Sequence, residues 1–166
     1  MELVIAPPNR IAAGSKLGSP LVVTFKASKL RRRPVTAEGG EGQDLSGVWA
    51  YISLMSEDKS RTLAPPRTDL LRGHPAASIH PLDSAAQRGG SSFAYAAFPD
   101  LTITAPGRYC FCINVFDMNS SDGQSTTTKL LPALHTHVFD VIEDTHFAPR
   151  QGQLKTCHAL VSDRLT

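Results

Sequence analysis

Phe98-Pro99-Asp100-Leu101-Thr102-Ile103-Thr104-Ala105-Pro106-Gly107-Arg108-Tyr109-Cys110-Phe111-Cys112-Ile113-Asn114-Val115-Phe116 is the stretch on which the fold turns. Leu101 and Ile103 alternate with threonines at period two, the repeat that sends successive strand side chains to opposite faces. Ala105-Pro106-Gly107 sets proline and glycine where a tight turn takes them. The turn leads into a long strand, Arg108 to Phe116. One face of it carries Tyr109, Phe111, Ile113 and Val115; the other carries Cys110, Cys112, Asn114 and Phe116. With large or apolar residues on both faces, such a strand belongs inside a sandwich.

Working outward, the same reading finds more short strands. Leu3-Val4-Ile5 is stopped by Pro7-Pro8, and Leu21-Val22-Val23-Thr24-Phe25 is a β-branched run of strand length. Val48 to Leu54 carries Trp49 and Tyr51, and Phe93 to Phe98 precedes the deciding stretch. Ala77 to Leu82 and Thr136 to Ile142 complete the set, and Lys155 to Leu165 reads as a terminal helix. Gly14 to Pro20, Glu57 to Arg67, Arg88 to Ser92 and Asn119 to Gln124 read as loops or turns. Residues 26–43 almost lack large apolar side chains, and read as a long mobile or functional connection.

The 166 residues suit one domain, residues 1–166, with 41% hydrophobic content and 19% charge, enough to bury a core. Twelve glycines and twelve prolines favour short strands and turns over a helical bundle. The expected fold class is all-β, an antiparallel sandwich of Rel or immunoglobulin type with a short C-terminal helix. No stretch approaches the roughly 18 apolar residues of a spanning helix, and the first residues lack a signal-peptide pattern. Three cysteines, Cys110, Cys112 and Cys157, make a disulfide scaffold unexpected. A soluble intracellular protein, without a membrane partner, is the expectation.

Net charge is +2, but it is unevenly spread. Residues 1–33 hold Arg10, Lys16, Lys26, Lys29, Arg31, Arg32 and Arg33 against Glu2 alone, a net of +6. The remainder carries ten basic and fourteen acidic residues, a net of −4. Such asymmetry points to an anionic partner for one region of the surface. On loops at the end of a sandwich, these side chains can reach phosphates and guanine edges. Lys29 to Arg33 is also similar to a short basic import signal.

Catalytic patterns fare worse. His135-Thr136-His137 would set two imidazoles on one strand face, a geometry that metal sites use. With Glu143 it approaches the HxH…E motif of cupin-like metal enzymes, but the gap to the glutamate is too long. Cys110 and Cys112 have no matching CxC or CxxC pair, and nothing around Cys157 marks a nucleophile. Gly39-Gly40-Glu41-Gly42 lies beside acids that would repel phosphate. No enzyme activity, cofactor or metal is expected.

The order of segments resembles the velvet domain. Leu3-Val4-Ile5, Arg10, a basic glycine loop and Pro20-Leu21-Val22-Val23 are similar to that family's opening, and Val48 to Leu54 to its aromatic strand. Leu71-Arg72-Gly73 with Ser78 and Pro81-Leu82 looks like its L-x-G…S…L stretch. Phe98-Pro99-Asp100-Leu101 followed by Gly107-Arg108-Tyr109 is the most specific part, and Phe139-Asp140-Val141 and Gln151-Gly152 resemble later family segments. The proline triplet before the second strand is reduced to Ser19-Pro20, and the FPG segment appears only as Phe147-Ala148-Pro149.

The resemblance implies a nuclear regulator of fungal development, sporulation and secondary metabolism, with shuttling to the cytoplasm as a further expectation. It would bind double-stranded DNA and act as a dimer with itself or another velvet protein. By position, Arg10 and Lys16 match the family's DNA-contacting loop. Lys26, Lys29, Arg31, Arg32 and Arg33 are added on charge alone. The alternative is a velvet module that heterodimerises without touching DNA.

Overall fold

The computed structural model describes residues 1–26, 45, 47–82, 93–117, 128–129 and 131–143. Its strands, in chain order, are β1 (Glu2–Ile5), β2 (Arg10–Ala12), β3 (Leu21–Lys26), β4 (Val48–Ser56), β5 (Thr62–Ala64), β6 (Leu71–Arg72) and β7 (Ala76–Ser78). They continue with β8 (His80–Leu82), β9 (Phe93–Phe98), β10 (Thr102–Ile103), β11 (Gly107–Asp117), β12 (Thr128–Lys129), β13 (Leu134–His135) and β14 (Phe139–Ile142). The fold is all-β. The helix expected over 155–165 lies outside the described residues, as do the turn at 88–92 and the loop at 119–124.

The long strand read from the sequence is the spine of the larger sheet. β11 runs antiparallel to β4 in unbroken register from Tyr109↔Ser56 to Asp117↔Val48. Around this pair the larger sheet is ordered β2-β14-β11-β4-β5, with β7 also on β4 and β12 and β13 also on β11. The smaller sheet is ordered β1-β3-β9-β8. Together these reproduce the ABED and GFC arrangement of an immunoglobulin-like sandwich. The chain's first strand is divided between them: β1 pairs antiparallel with β3, and β2 pairs parallel with β14. That parallel pairing departs from the wholly antiparallel sandwich expected.

Alternation decides what fills the space between the sheets. Leu21, Val23 and Phe25 of β3 and Ala94, Ala96 and Phe98 of β9 point inward from the smaller sheet. They meet Ala50, Ile52 and Leu54 of β4 and Phe111, Ile113 and Val115 of β11. Phe111 and Phe139 pack with ring centroids 5.0 Å apart. Burying each such side chain contributes about 1.5–3 kcal/mol. On the opposite face of β11, Met55, Cys110 and Cys112 form a second small cluster under Ala133 and Val138.

Three sequence readings are corrected. The loop expected over Glu57–Arg67 contains β5, which returns along β4 after the turn at Asp58-Lys59. The single strand expected over Ala77–Leu82 is two, because buried Ile79 carries the chain from one sheet to the other: β7 pairs β4 and β8 pairs β9. The strand expected to begin at Thr136 begins at Phe139. Thr136 is buried instead, where its hydroxyl accepts from the Phe111 amide and donates to the His137 carbonyl oxygen, both at 2.9 Å.

Candidate nucleic-acid interface

Arg10 and Lys16 leave the same end of the sandwich. The segment between them is pinned by its backbone: Ala13 N–H donates to Ile142 O, Gly14 N–H to Ile103 O and Leu17 N–H to Leu101 O. Leu17 is buried, so the loop is held by its own side chain as well. Lys26 stands elsewhere. It ends β3, whose start at Leu21 lies near the Lys16 end, and five strand steps carry it roughly 17 Å away. Lys29, Arg31, Arg32 and Arg33 lie outside the described residues. The structure thus sets Arg10 beside Asp140 and Lys16 beside Asp100, on one pinned segment, and puts Lys26 at the far end of β3.

Arg10 closes a row of alternating charge across the outer face of the larger sheet. Glu57 Oε2 lies 2.7 Å from Arg108 Nη1, and Arg108 Nε lies 3.3 Å from Asp140 Oδ1. Asp140 stands opposite Arg10 in the β14–β2 register. Arg108 is therefore neutralised on both sides, whereas Arg10 is exposed and makes no ion pair among the described residues.

Lys16 is bound differently. Its Nζ donates to Asp100 Oδ1 at 3.0 Å, linking the basic loop to the Phe98-Pro99-Asp100-Leu101 block across 84 residues. His74 Nδ1 lies 3.9 Å from the other carboxylate oxygen. The Lys16 side chain is 72% exposed, and an ion pair of that kind contributes only about 0–1 kcal/mol. Lys16 can exchange Asp100 for another anion at little cost.

Gly73 fixes the other side of this region. Its φ is +105°, and a Cβ there would sit 1.7 Å from the Asp100 carbonyl oxygen. Only glycine lets the β6 turn lie this close to the block. Nearby, the hydrogen bond from Arg67 holds the Asp69 carboxyl below its usual range against desolvation, and the Arg67 and Arg72 charges act the same way as the bond.

The His135-Thr136-His137 segment straddles the end of a strand. His135 ends β13, Thr136 turns inward and His137 is exposed beyond the strand. Among the described residues, no group of three His, Cys, Asp or Glu could hold a metal. Cys110 and Cys112 are buried free thiols, and burial pushes the Cys110 thiol above its usual range. Cys157 lies outside the described residues.

Sequence reasoning missed Arg72 and Arg108. Leu71-Arg72 gives only a two-residue strand with no periodicity to notice, and Arg108 was read as the start of a strand, not as a charge. Set against models of protein families and against curated proteins, the chain matches none. Its likeness to the velvet domain rests on the quoted residues and their order.

Proposed function

We propose that this chain is a velvet-type DNA-binding regulator, acting in the nucleus as a homodimer or heterodimer. The observation that carries the reading is the short backbone-pinned segment that links exposed Arg10, at the start of β2, to exposed Lys16 in an immunoglobulin-like sandwich. Cations on a rigid loop lose little entropy on binding, and phosphates are their natural ligands. The basic run Lys29 to Arg33 would add further positive charge for phosphates. In this reading the chain performs no catalysis and needs no metal or cofactor.

Fluorescence anisotropy of a labelled duplex, titrated at rising salt, tests it. The full chain is expected to bind at low salt and to weaken linearly in log–log form as counterions are released. Arg10→Ala with Lys16→Ala is expected to lower both affinity and salt slope. No binding at low salt, or a double variant indistinguishable from the parent, would sink the reading.

A second reading has its own support. Trp49 is 41% exposed on the outer face of β4, and Val4, Ile5, Leu82 and Ile142 are exposed as well. These fit an interaction module that pairs with another velvet protein without touching DNA. Size-exclusion chromatography separates the two: a monomer that binds DNA in a salt-dependent way excludes the module.

A further inference from the structure

Lys16, Thr102 and Arg72 form one cross-strand row. Lys16 stands opposite Thr102 in an antiparallel bridge, and Thr102 stands opposite Arg72 in the β10–β6 pair. Directly opposed residues in such pairs share a face, with Cβ atoms about 4.5–5.5 Å apart. The two basic residues therefore flank Thr102, with their Cβ atoms about 10 Å apart. Their sequence neighbours Leu17, Leu101, Ile103 and Leu71 pack into or against the core, so the row itself points outward.

Three segments hold the row in place. Residues 14–17 are tied to 101–103 by the Gly14 and Leu17 amides, and 70–73 is tied to 104 by the Thr104 amide donating to Leu70 O. The Thr104 hydroxyl donates to Asp69 O at 2.7 Å, and Gly73 lies against the Asp100 backbone. The acids nearby are already engaged: Asp69 with Arg67 at 3.1 Å and Asp100 with Lys16. Arg72 is exposed and has no ion pair among the described residues.

We propose that the row Lys16–Thr102–Arg72 is a clamp for the phosphodiester backbone of double-stranded DNA, with the two cations closing on a phosphate over the Thr102 hydroxyl. The clamp rests on the reading of the chain as a DNA-binding protein and adds Arg72 and Thr102 to its contacts. Arg72 supplies a planar fork suited to two phosphate oxygens, Thr102 a hydroxyl donor, and Lys16 a point charge with N–H donors to spare beside Asp100. A contact of this kind positions the duplex without reading its sequence.

The test is anisotropy with the full chain on two labelled duplexes of unrelated sequence, over a salt series. Arg72→Ala is expected to weaken both duplexes several-fold and equally, and to reduce the log–log salt slope by about one. Arg72→Lys restores the slope. Thr102→Val lowers affinity and leaves the slope unchanged. Thermal melting of each variant checks that the fold is intact. If the parent binds and Arg72→Ala matches it in affinity and slope, the clamp is overturned while the DNA-binding reading stands. Loss on one duplex alone would make Arg72 a base reader and overturn it too. A parent that binds neither duplex overturns both.

Discussion

The Tyr109 hydroxyl donates to the Pro106 carbonyl oxygen at 3.1 Å and lies 3.3 Å from that of Ala105. A tyrosine at the start of β11, bonded back to the preceding turn, is the corner by which immunoglobulin-like folds fix a sheet-to-sheet connection. Burial pushes its phenol above the usual range, so it remains a donor. Tyr109→Phe keeps the ring and removes the bond, at an expected cost of about 0.5–1.5 kcal/mol. Thermal melting is expected to fall by about 2–4 °C per kcal/mol lost; an unchanged melting temperature would show that the corner contributes nothing.

Gly73→Ala is expected to be far more damaging than its size suggests. The added methyl meets the Asp100 backbone at 1.7 Å, and neither partner is a side chain that can swing aside. The β6 turn must move away from the block, at about 1–3 kcal/mol or more. Urea titration measures this, and a midpoint equal to the parent's would refute the close approach.

Phe111→Ala empties the centre of the core. Phe111 is fully buried and packs on Phe139, so the loss is expected at about 3–5 kcal/mol. Phe139→Ala is expected to cost a similar amount, and the double variant less than the two losses together, because the residues share one contact. Strict additivity in denaturant midpoints would argue against that shared packing.

The β4–β5 turn carries a pH dependence of its own. Hydrogen bonds from the hydroxyls of Ser56 and Ser60 and from the Ser60 amide lower the Asp58 carboxyl from 3.8 to about 2. A depressed folded-state value means that the turn's support is fully present above 3.8 and is lost as pH falls through about 2. An NMR titration of Asp58 should find its midpoint near the lower value, and Ser60→Ala should raise it. A midpoint at the ordinary carboxylate value in the parent chain would contradict the turn geometry.

Cys110 and Cys112 are expected to resist thiol reagents until the protein unfolds. Both are buried, and burial pushes the Cys110 thiol up, which makes it a poor thiolate. Alkylation followed by peptide mass analysis reads this directly; rapid native labelling of Cys110 would mean that the cluster under Ala133 and Val138 opens.

The strands legible in the sequence were those whose pattern is long enough to repeat. Val48 to Leu54 and Phe93 to Phe98 were read within two residues of their ends, and Arg108 to Phe116 within one. β2, β6 and β13 run two or three residues, too short for alternation to show, and exist because a neighbour offers hydrogen bonds. The split at Ile79 was hidden for a related reason: one buried residue can belong to either strand. In the candidate interface, Arg10 and Lys16 were visible as charge and as positions in a resemblance. The Lys16–Asp100 pair was not, since 84 residues separate its ends. Arg72 joins Lys16 only through the register of β10.

The division of the first strand makes the segment carrying Arg10 a brace. It grips β3 on one sheet through Glu2–Ile5 and β14 on the other through Arg10–Ala12. A load applied at Arg10 is therefore shared by both sheets, and neither can peel from this edge without the other. An anion held there would tighten the whole sandwich, so occupancy at the surface would register as resistance to unfolding in the core.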